Sequence, residues 1–265
     1  MLFLQYWNHL YRKMKSFFDD FLKQGYSIQK VENLKFLNTL KSNIEDQVLS
    51  KDLEKIHKYY GANEINNLRI SCYRKINRIN HWEDQYFSLA SSYLKDLLGP
   101  DLSIQTKLNL SIQMPNDKDS VLDLHTDALS GQSVFEVVLW VPLTRSYSSN
   151  SMYIFPRKIN EKILHDLKDN ENLGMKNLFI KYEKYANFLH LNYGECLIFS
   201  PTLFHGNILN ETPTTRVSIN CRFKNLFSHE AKNGERRLGS FYRVLKLSPV
   251  TKIGLSYRDD LVKFL

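Results

Sequence analysis

The chain has 265 residues, 43% of them hydrophobic, 13% aromatic and 24% charged, a balance typical of globular proteins and unlike disordered, collagen-like or coiled-coil chains. Thirty-six basic residues against 28 acidic ones give a formal charge of +8, but the basic residues are scattered instead of gathered on one stripe, which argues against nucleic-acid binding. No run of about 18 apolar residues offers a membrane span. The opening MLFLQYW has Arg12, Lys13 and Lys15 after its apolar run and not before it, so the expectation is a first helix of the fold and not a secretory leader. Cys72, Cys196 and Cys221 are too few and too separated for a disulfide framework, and buried thiols in a reducing cytoplasm are expected.

The first hundred residues are patterned as helices. In FFDDFLKQGY, Phe17, Phe18, Phe21 and Leu22 share one helical stripe, which Gly25 stops. Apolar positions recur at three- and four-residue intervals from 34 to 53 and again from 84 to 98, where Gly99 and Pro100 close the helix. These helices carry no catalytic signature and are expected to pack on a sheet. After Pro100 the period changes to two. KLNLSIQM (107–114) alternates, and VFEVVLWVPL (134–143) has the β-branched and aromatic content of a central strand. MYIFP (152–156), ECLIFSP (195–201), LFHGNIL (203–209) and RVSINCRF (216–223) continue the series, interrupted by a charged helical segment near 158–186. Short strands separated by turn clusters predict a mainly β, α+β chain built as a sandwich or barrel with helices outside it. No repeat or linker stands out, so a single domain over 1–265 is expected.

Chemistry concentrates in two places. His125 and Asp127, two residues apart on extended chain, project from the same face and can reach one metal ion. His205, in a later apolar strand, would supply a third donor. Two imidazoles and one carboxylate on one face of an octahedron leave three positions open, the arrangement of non-haem Fe(II) oxygenases. Arg216 then begins a strand whose alternation puts Arg216, Ser218 and Asn220 on one side. A guanidinium fork matches a carboxylate bidentately, so Arg216 with the Ser218 hydroxyl could hold the distal carboxylate of a 2-oxoacid.

With these residues in view, LHTDALSG, FSPTLFHGNILNETPTTRVSINCRF and the alternating strands between them resemble the Fe(II)/2-oxoglutarate-dependent dioxygenases, in particular the phytanoyl-CoA-dioxygenase-like branch and, within it, a bacterial group from carbohydrate and cell-surface polysaccharide gene clusters. The similarity covers 105–227 well. FLKQGYSIQKVENL (21–34), read as helical, resembles the usual N-terminal element, and 228–265 matches only the narrower group. The resemblance implies a double-stranded β-helix (a jelly-roll or cupin-like barrel) over 101–227, a helix-rich support over 1–100 and a basic extension over 228–265. It implies that His125, Asp127 and His205 bind Fe(II), and that Arg216, assisted by Ser218, binds the C5 carboxylate of 2-oxoglutarate, with dioxygen as co-substrate.

Other polar residues are open to two readings. Asn109, Ser111, Gln113 and Gln132 could donate to the 2-oxoglutarate carboxylates or a substrate hydroxyl, or satisfy neighbours; Gln113 is the one taken as cofactor-binding. Trp140, Tyr153 and Phe155 are expected in the core. His190 and Glu195 form the nearest competing metal-ligand pair and are expected to be structural, while His229 and Glu230 are expected on a solvated turn. The basic stretch 235–246 reads either as a solvated face or as an anion-binding edge, where Arg236, Arg237, Arg243 and Lys246 could meet the phosphates of a nucleotide-linked sugar. The expected reaction is hydroxylation of a sugar or nucleotide-sugar in carbohydrate biosynthesis. The alternatives are a lipid or small-metabolite hydroxylase and a non-catalytic ligand-binding barrel.

Overall fold

The computed structural model describes residues 17–169, 174–230 and 236–261; the opening segment expected to form the first helix lies outside them. Two antiparallel sheets face each other. The larger runs β1 (Tyr26–Lys30), β7 (Glu195–Phe199), β4 (Glu136–Pro142), β9 (Arg216–Asn225), β2 (Leu102–Gln105) and β10 (Tyr242–Lys246), and β3 (Asn109–Gln113) pairs with the first half of β9. The smaller runs β6 (Asn187–Phe188), β5 (Met152–Ile154) and β8 (His205–Asn207), and His125 bridges to His205 at its far edge. This is a mixed α and β chain built on a jelly roll.

Alternation along β9 explains the layering. Val217, Ile219, Cys221 and Phe223 are fully buried on one face, where they join Val137, Leu139 and Val141 of β4 and Cys196 and Ile198 of β7 in the main core. Helices cover that face: a helix over residues 17–24 (α1), α2 (Leu34–Glu45), α3 (Ala62–Ile76), α4 (Trp82–Phe87) and α5 (Ser91–Leu98) contribute Phe17, Phe36, Leu40, Cys72, Tyr86 and Leu94. Each such side chain taken from water stabilises by about 1.5–3 kcal/mol. The other face of β9 carries Arg216, Ser218, Asn220, Arg222 and Lys224 and looks toward the smaller sheet. A second apolar cluster, with Val138 and Trp140 of β4, Met152 and Ile154 of β5 and Phe199 of β7, fills the space between the sheets beside those polar residues. Helices α6 (Arg157–Asp169) and α7 (Met175–Tyr182) cover the outside of the smaller sheet over Tyr153, Phe155 and Phe204. Among the described residues no helix is long and apolar enough to cross a membrane.

Several sequence expectations change. Residues 26–30, read as helical, are the edge strand β1: Gly25 takes φ of 81°, which ends α1, and Tyr26 to Lys30 then pair with β7. The single helix expected over 84–98 is two, broken at residues 88–90. β2, β10 and α3 were not anticipated, and α8 (Pro249–Leu261) ends the described chain.

Gly206 lies between the two histidines' neighbours, and a Cβ there would sit 2.5 Å from the Tyr153 hydroxyl and 2.7 Å from the Leu122 carbonyl oxygen. A backbone carbonyl cannot swing aside, so β8 itself must shift. Gly206→Ala is expected to lose about 1–3 kcal/mol by overpacking, read as a lowered midpoint in urea denaturation.

Candidate functional site

Strand β8 brings the two histidines together although 80 residues separate them in the chain. The His125 N–H donates to the His205 carbonyl at 3.0 Å and the His205 N–H to the His125 carbonyl at 2.9 Å. This reciprocal pair puts both side chains on one face, with ring centroids 4.3 Å apart. Asp127 points the same way, and one donor atom from each of His125, Asp127 and His205 lies within 4.8 Å of the others. Each imidazole has its Nδ1 against a backbone carbonyl, Asp123 at 2.7 Å and Leu203 at 2.9 Å. A carbonyl only accepts, so both Nδ1 atoms carry the proton and both Nε2 lone pairs are left for a metal. Burial pushes His205 down to about 4, which keeps it neutral at physiological pH. Burial alone would raise the Asp127 carboxyl, but the Arg222 guanidinium 2.8 Å from Oδ1 and the two imidazoles outweigh it and hold the pKa below the ordinary value. Two imidazoles and one carboxylate fit a divalent metal ion.

Arg216 is held from three sides. Its Nε donates to the Asn150 carbonyl at 3.0 Å, Nη1 to the hydroxyls of Ser111 at 2.9 Å and Ser218 at 2.8 Å, and Nη2 to Gln113 Oε1 at 2.8 Å. The β3–β9 register sets Ser111 against Ser218 and Gln113 against Arg216, so this cage follows from strand pairing. Gln113 is fixed in turn by donating to the Ile208 carbonyl at 2.7 Å. Every hydrogen-bond partner of this buried cation among the described residues is neutral, and burial brings its pKa down to about 10. One Nη2 proton is left over. An unneutralised guanidinium inside a protein is costly unless an anion joins it.

The histidines, Asp127 and Arg216 line one cavity of about 450 Å³, within the range of small-molecule sites. Trp140, Val138, Met152 and Phe199 form its apolar wall, so Trp140 is both core and cavity lining. Ser111, Asn109 and Asn220 add polar groups from β3 and β9, and Arg69, Asp119, Ser120 and Asn207 stand among its remaining lining residues. Gln113 and Ser218, expected beside a bound acid, touch Arg216 itself. The Oε1 of Gln132 is buried without a partner among the described residues, and Gln132 does not line the cavity. Tyr153 and Phe155 are core, under α6 and α7. His190 is exposed, and Glu195 pairs with Lys30 at 3.1 Å, so that pair is structural. Glu230 does more than occupy a turn, since it neutralises the buried Lys224 at 3.0 Å.

The basic stretch does not serve the cavity. Residues 242–246 form β10, where Arg243 pairs with Glu83 and Lys246 with Asp84 of α4, and Arg236 lies over the Phe241 ring. None of Arg236, Arg237, Arg243 and Lys246 lines the cavity, and of the two readings of this stretch the ion pairs of Arg243 and Lys246 favour a surface face over an anion-binding edge of this cavity.

Arg222 and Glu136 escaped the sequence reading. Arg222 joins Asp127 to Glu136, whose Oε1 is 3.6 Å from its Nε, and the Tyr242 hydroxyl donates to the other Glu136 oxygen. Burial raises Glu136 to about 7. The signal for Arg222 is the alternation along β9, which puts it on the same face as Arg216.

No protein-family model matches the chain. Over 99 residues it is 31% identical to the streptomycin biosynthesis protein StrG of Streptomyces griseus, a match spanning 37% of this chain and 35% of the length of StrG. Among solved structures it is similar to the nickel complex of the non-haem monooxygenase ThoJ, with a TM-score of 0.57 and 18% identity over 88% of this chain and 84% of that one. The non-haem α-ketoglutarate-dependent epimerase SnoN from nogalamycin biosynthesis aligns at a TM-score of 0.55 and 13% identity over 89% of this chain and 97% of that one. HygX from Streptomyces hygroscopicus, with nickel and 2-oxoglutarate bound, aligns at 0.52 and 12% identity over 86% and 96%. The chain therefore has the jelly-roll fold of these proteins.

Two of the shifted buried groups oppose each other. Glu136 titrates higher in the folded state than its ordinary 4.5, so stability is lost as pH rises from about 4.5 to about 7. His205 titrates below its ordinary 6.5, so stability is lost as pH falls from about 6.5 to about 4. Glu136→Gln removes only the first effect. Its stability relative to the unaltered protein is expected to improve by about 3 kcal/mol between pH 4.5 and pH 8, measured by urea denaturation across that range. A gap that stays constant with pH contradicts the placement of Glu136.

Proposed function

We propose that this protein is an Fe(II)- and 2-oxoglutarate-dependent dioxygenase that hydroxylates a small, polar, sugar-like substrate. The observation that carries the reading is Arg216: a buried guanidinium with neutral partners, opening on the same cavity as a His, Asp, His donor set. A dicarboxylic keto acid would suit such a cavity, with one carboxylate to neutralise Arg216 and a second acid group toward the donor set. In this reading His125, Asp127 and His205 hold the iron. When bound, iron and 2-oxoglutarate supply oxidation of a C–H bond by dioxygen with release of succinate and carbon dioxide.

The chain's own residues bind and orient. The free Nη2 proton of Arg216 and the Ser111 hydroxyl, both on the cavity wall, meet the distal carboxylate; Ser218 and Gln113 act through Arg216 by fixing its plane. Trp140, Met152 and Phe199 would give the aliphatic part of such an acid an apolar wall that limits water. The hydrogen bonds on both Nδ1 atoms keep the imidazoles oriented.

The substrate reading rests on charge. Arg69 is paired with Asp117 at 2.6 Å and Arg222 with Asp127 at 2.8 Å, so Arg216 is the unneutralised cation on the cavity wall among the described residues. A phosphate would find no counter-charge beyond the group that binds the keto acid, which favours a neutral sugar over a nucleotide-linked one. Asn109, Asn220, Asp119 and Ser120 give the wall a polar side; Asn109 donates to Asn220 Oδ1 at 2.9 Å and Ser120 to the Asp117 carbonyl at 2.8 Å, and the Asn220 amide N–H and Asp119 carboxylate beside them suit a polyol better than a lipid. The names of StrG and SnoN, both from antibiotic biosynthesis, support a small-molecule substrate, and the motif resemblance supports the phytanoyl-CoA-dioxygenase-like branch and its carbohydrate-cluster group. Three buried, unpaired cysteines support a reducing, cytoplasmic setting.

Succinate formation from 2-oxoglutarate with Fe(II), ascorbate and a panel of neutral sugars tests the reading, with a product 16 mass units heavier as the expected second signal for the one added oxygen atom. Asp127→Ala is expected to abolish turnover. Arg216→Met is expected to weaken 2-oxoglutarate binding by about 10–100-fold, the loss of one charge-assisted contact, in calorimetry with nickel in place of iron. Undiminished turnover by Asp127→Ala, or unchanged 2-oxoglutarate affinity in Arg216→Met, overturns the assignment. 2-Oxoglutarate binding without succinate under any condition would instead favour a non-catalytic barrel.

A further inference from the structure

Asp127 differs from the two histidines in how it is held. Both imidazoles are fixed by backbone carbonyls two residues before them, while the Asp127 side chain is gripped from another strand. Arg222 Nη2 lies 2.8 Å from Asp127 Oδ1. Behind it one further nitrogen is hydrogen-bonded, and the third stands in an ion pair too long for a hydrogen bond. Nη1 donates to Gln105 Oε1 at 3.2 Å, and Nε faces Glu136 Oε1 at 3.6 Å. The Tyr242 hydroxyl donates to Glu136 Oε2, and Tyr242 is the cross-strand partner of Gln105 in the β2–β10 pair. Lys224 lies over the Tyr242 ring at 5.1 Å, its own charge met by Glu230. The side chains of Arg222, Asp127 and Glu136 are 12%, 10% and 0% exposed, so water contributes little to holding them.

We propose that Arg222, braced by Gln105, Glu136 and Tyr242, is the positioning residue of the metal site: it occupies one oxygen of Asp127 and so leaves the other, Oδ2, for the metal. This rests on the metal-site reading above and adds to it a function for the C-terminal strand. Residues 242–246 supply the last member of a buried relay, Asp127 to Arg222 to Glu136 to Tyr242, that ends on a metal ligand. The planar fork explains why an arginine stands here. It reaches Asp127, Gln105 and Glu136 through three different nitrogens, which a lysine ammonium at the end of a flexible stem cannot reproduce. Loss of the fork leaves two buried carboxylates facing each other without a cation between them.

The test is metal titration of the purified full chain, stripped of metal and without 2-oxoglutarate, using Co(II) followed by calorimetry and by its visible absorption. The unaltered protein is expected to bind one Co(II). Arg222→Met is expected to bind it about 10–100-fold more weakly, the usual cost of losing a group that orients a ligand. Arg222→Lys is expected to fall between the two, and Tyr242→Phe to show a smaller loss than Arg222→Met. The cobalt absorption band should change in Arg222→Met and not in Arg216→Met, because Arg216 touches none of the three ligands; a general loosening of the barrel would not separate these two variants. If Arg222→Met does not fold, Arg222→Lys and Tyr242→Phe decide the matter by the same readouts. Affinity within twofold of the unaltered protein and an unchanged band in the Arg222 variants overturn the proposal alone. Failure of the unaltered protein to take up Co(II) overturns the metal-site reading and the proposal with it.

Discussion

Strand β9 is buried on both faces and polar on one of them. Its ten residues serve both the core and the site, because alternation sends Val217, Ile219, Cys221 and Phe223 toward the helices and Arg216, Ser218, Asn220, Arg222 and Lys224 into the barrel. Three cations on one buried face of one strand would be prohibitive if left alone. They are compensated in three ways. Lys224 meets Glu230, Arg222 meets Asp127 and Glu136, and Arg216 meets hydroxyls, an amide and a carbonyl. Only the third arrangement stays positively charged overall, and that vacancy of charge is what a dicarboxylate would fill.

The same alternation made much of this legible from sequence. RVSINCRF declares its two faces in plain residue types, and His125, Asp127, His205 and Arg216 could be singled out because each is chemically conspicuous in a strand-like context. The convergence of the three metal-ligand candidates follows from one backbone event, the reciprocal hydrogen bonds between residues 125 and 205, and the cage around Arg216 follows from the β3–β9 register. Neither requires anything beyond strands of the expected kind pairing in sequence-consistent register.

What stayed hidden has a common physical cause. β1 and β10 are edge strands. Each has a single neighbour, and with Ile28 37% and Val244 46% exposed their apolar periodicity is too weak to announce them. The basic look of 235–246 then suggested a binding edge, whereas Arg243 and Lys246 are drawn to Glu83 and Asp84, acidic residues in the first turn of α4 some 160 positions earlier. Long-range charge pairing of this sort has no local signature. Glu136 was invisible for the opposite reason. It sits at the head of an apolar strand, where a lone carboxylate reads as a boundary residue, and only the Glu136–Lys224 register of β4 against β9 shows that it lies inside the barrel.

The three candidate ligands also differ in what the backbone can do for them. A histidine in extended chain can turn its Nδ1 back to the carbonyl two residues earlier, and both His125 and His205 do so, which sets tautomer and ring plane by local geometry. A carboxylate has no donor and cannot use a carbonyl in this way. The Asp127 backbone serves the loop, its carbonyl accepting from Gln132 N–H at 3.0 Å, and no backbone N–H reaches its side chain among the described residues. Its orientation therefore has to come from a cation on a neighbouring strand, and a cation buried that deeply needs its own counter-charge and support. The chain of Arg222, Glu136 and Tyr242 is the consequence of placing an aspartate, and not a third histidine, in the candidate donor set.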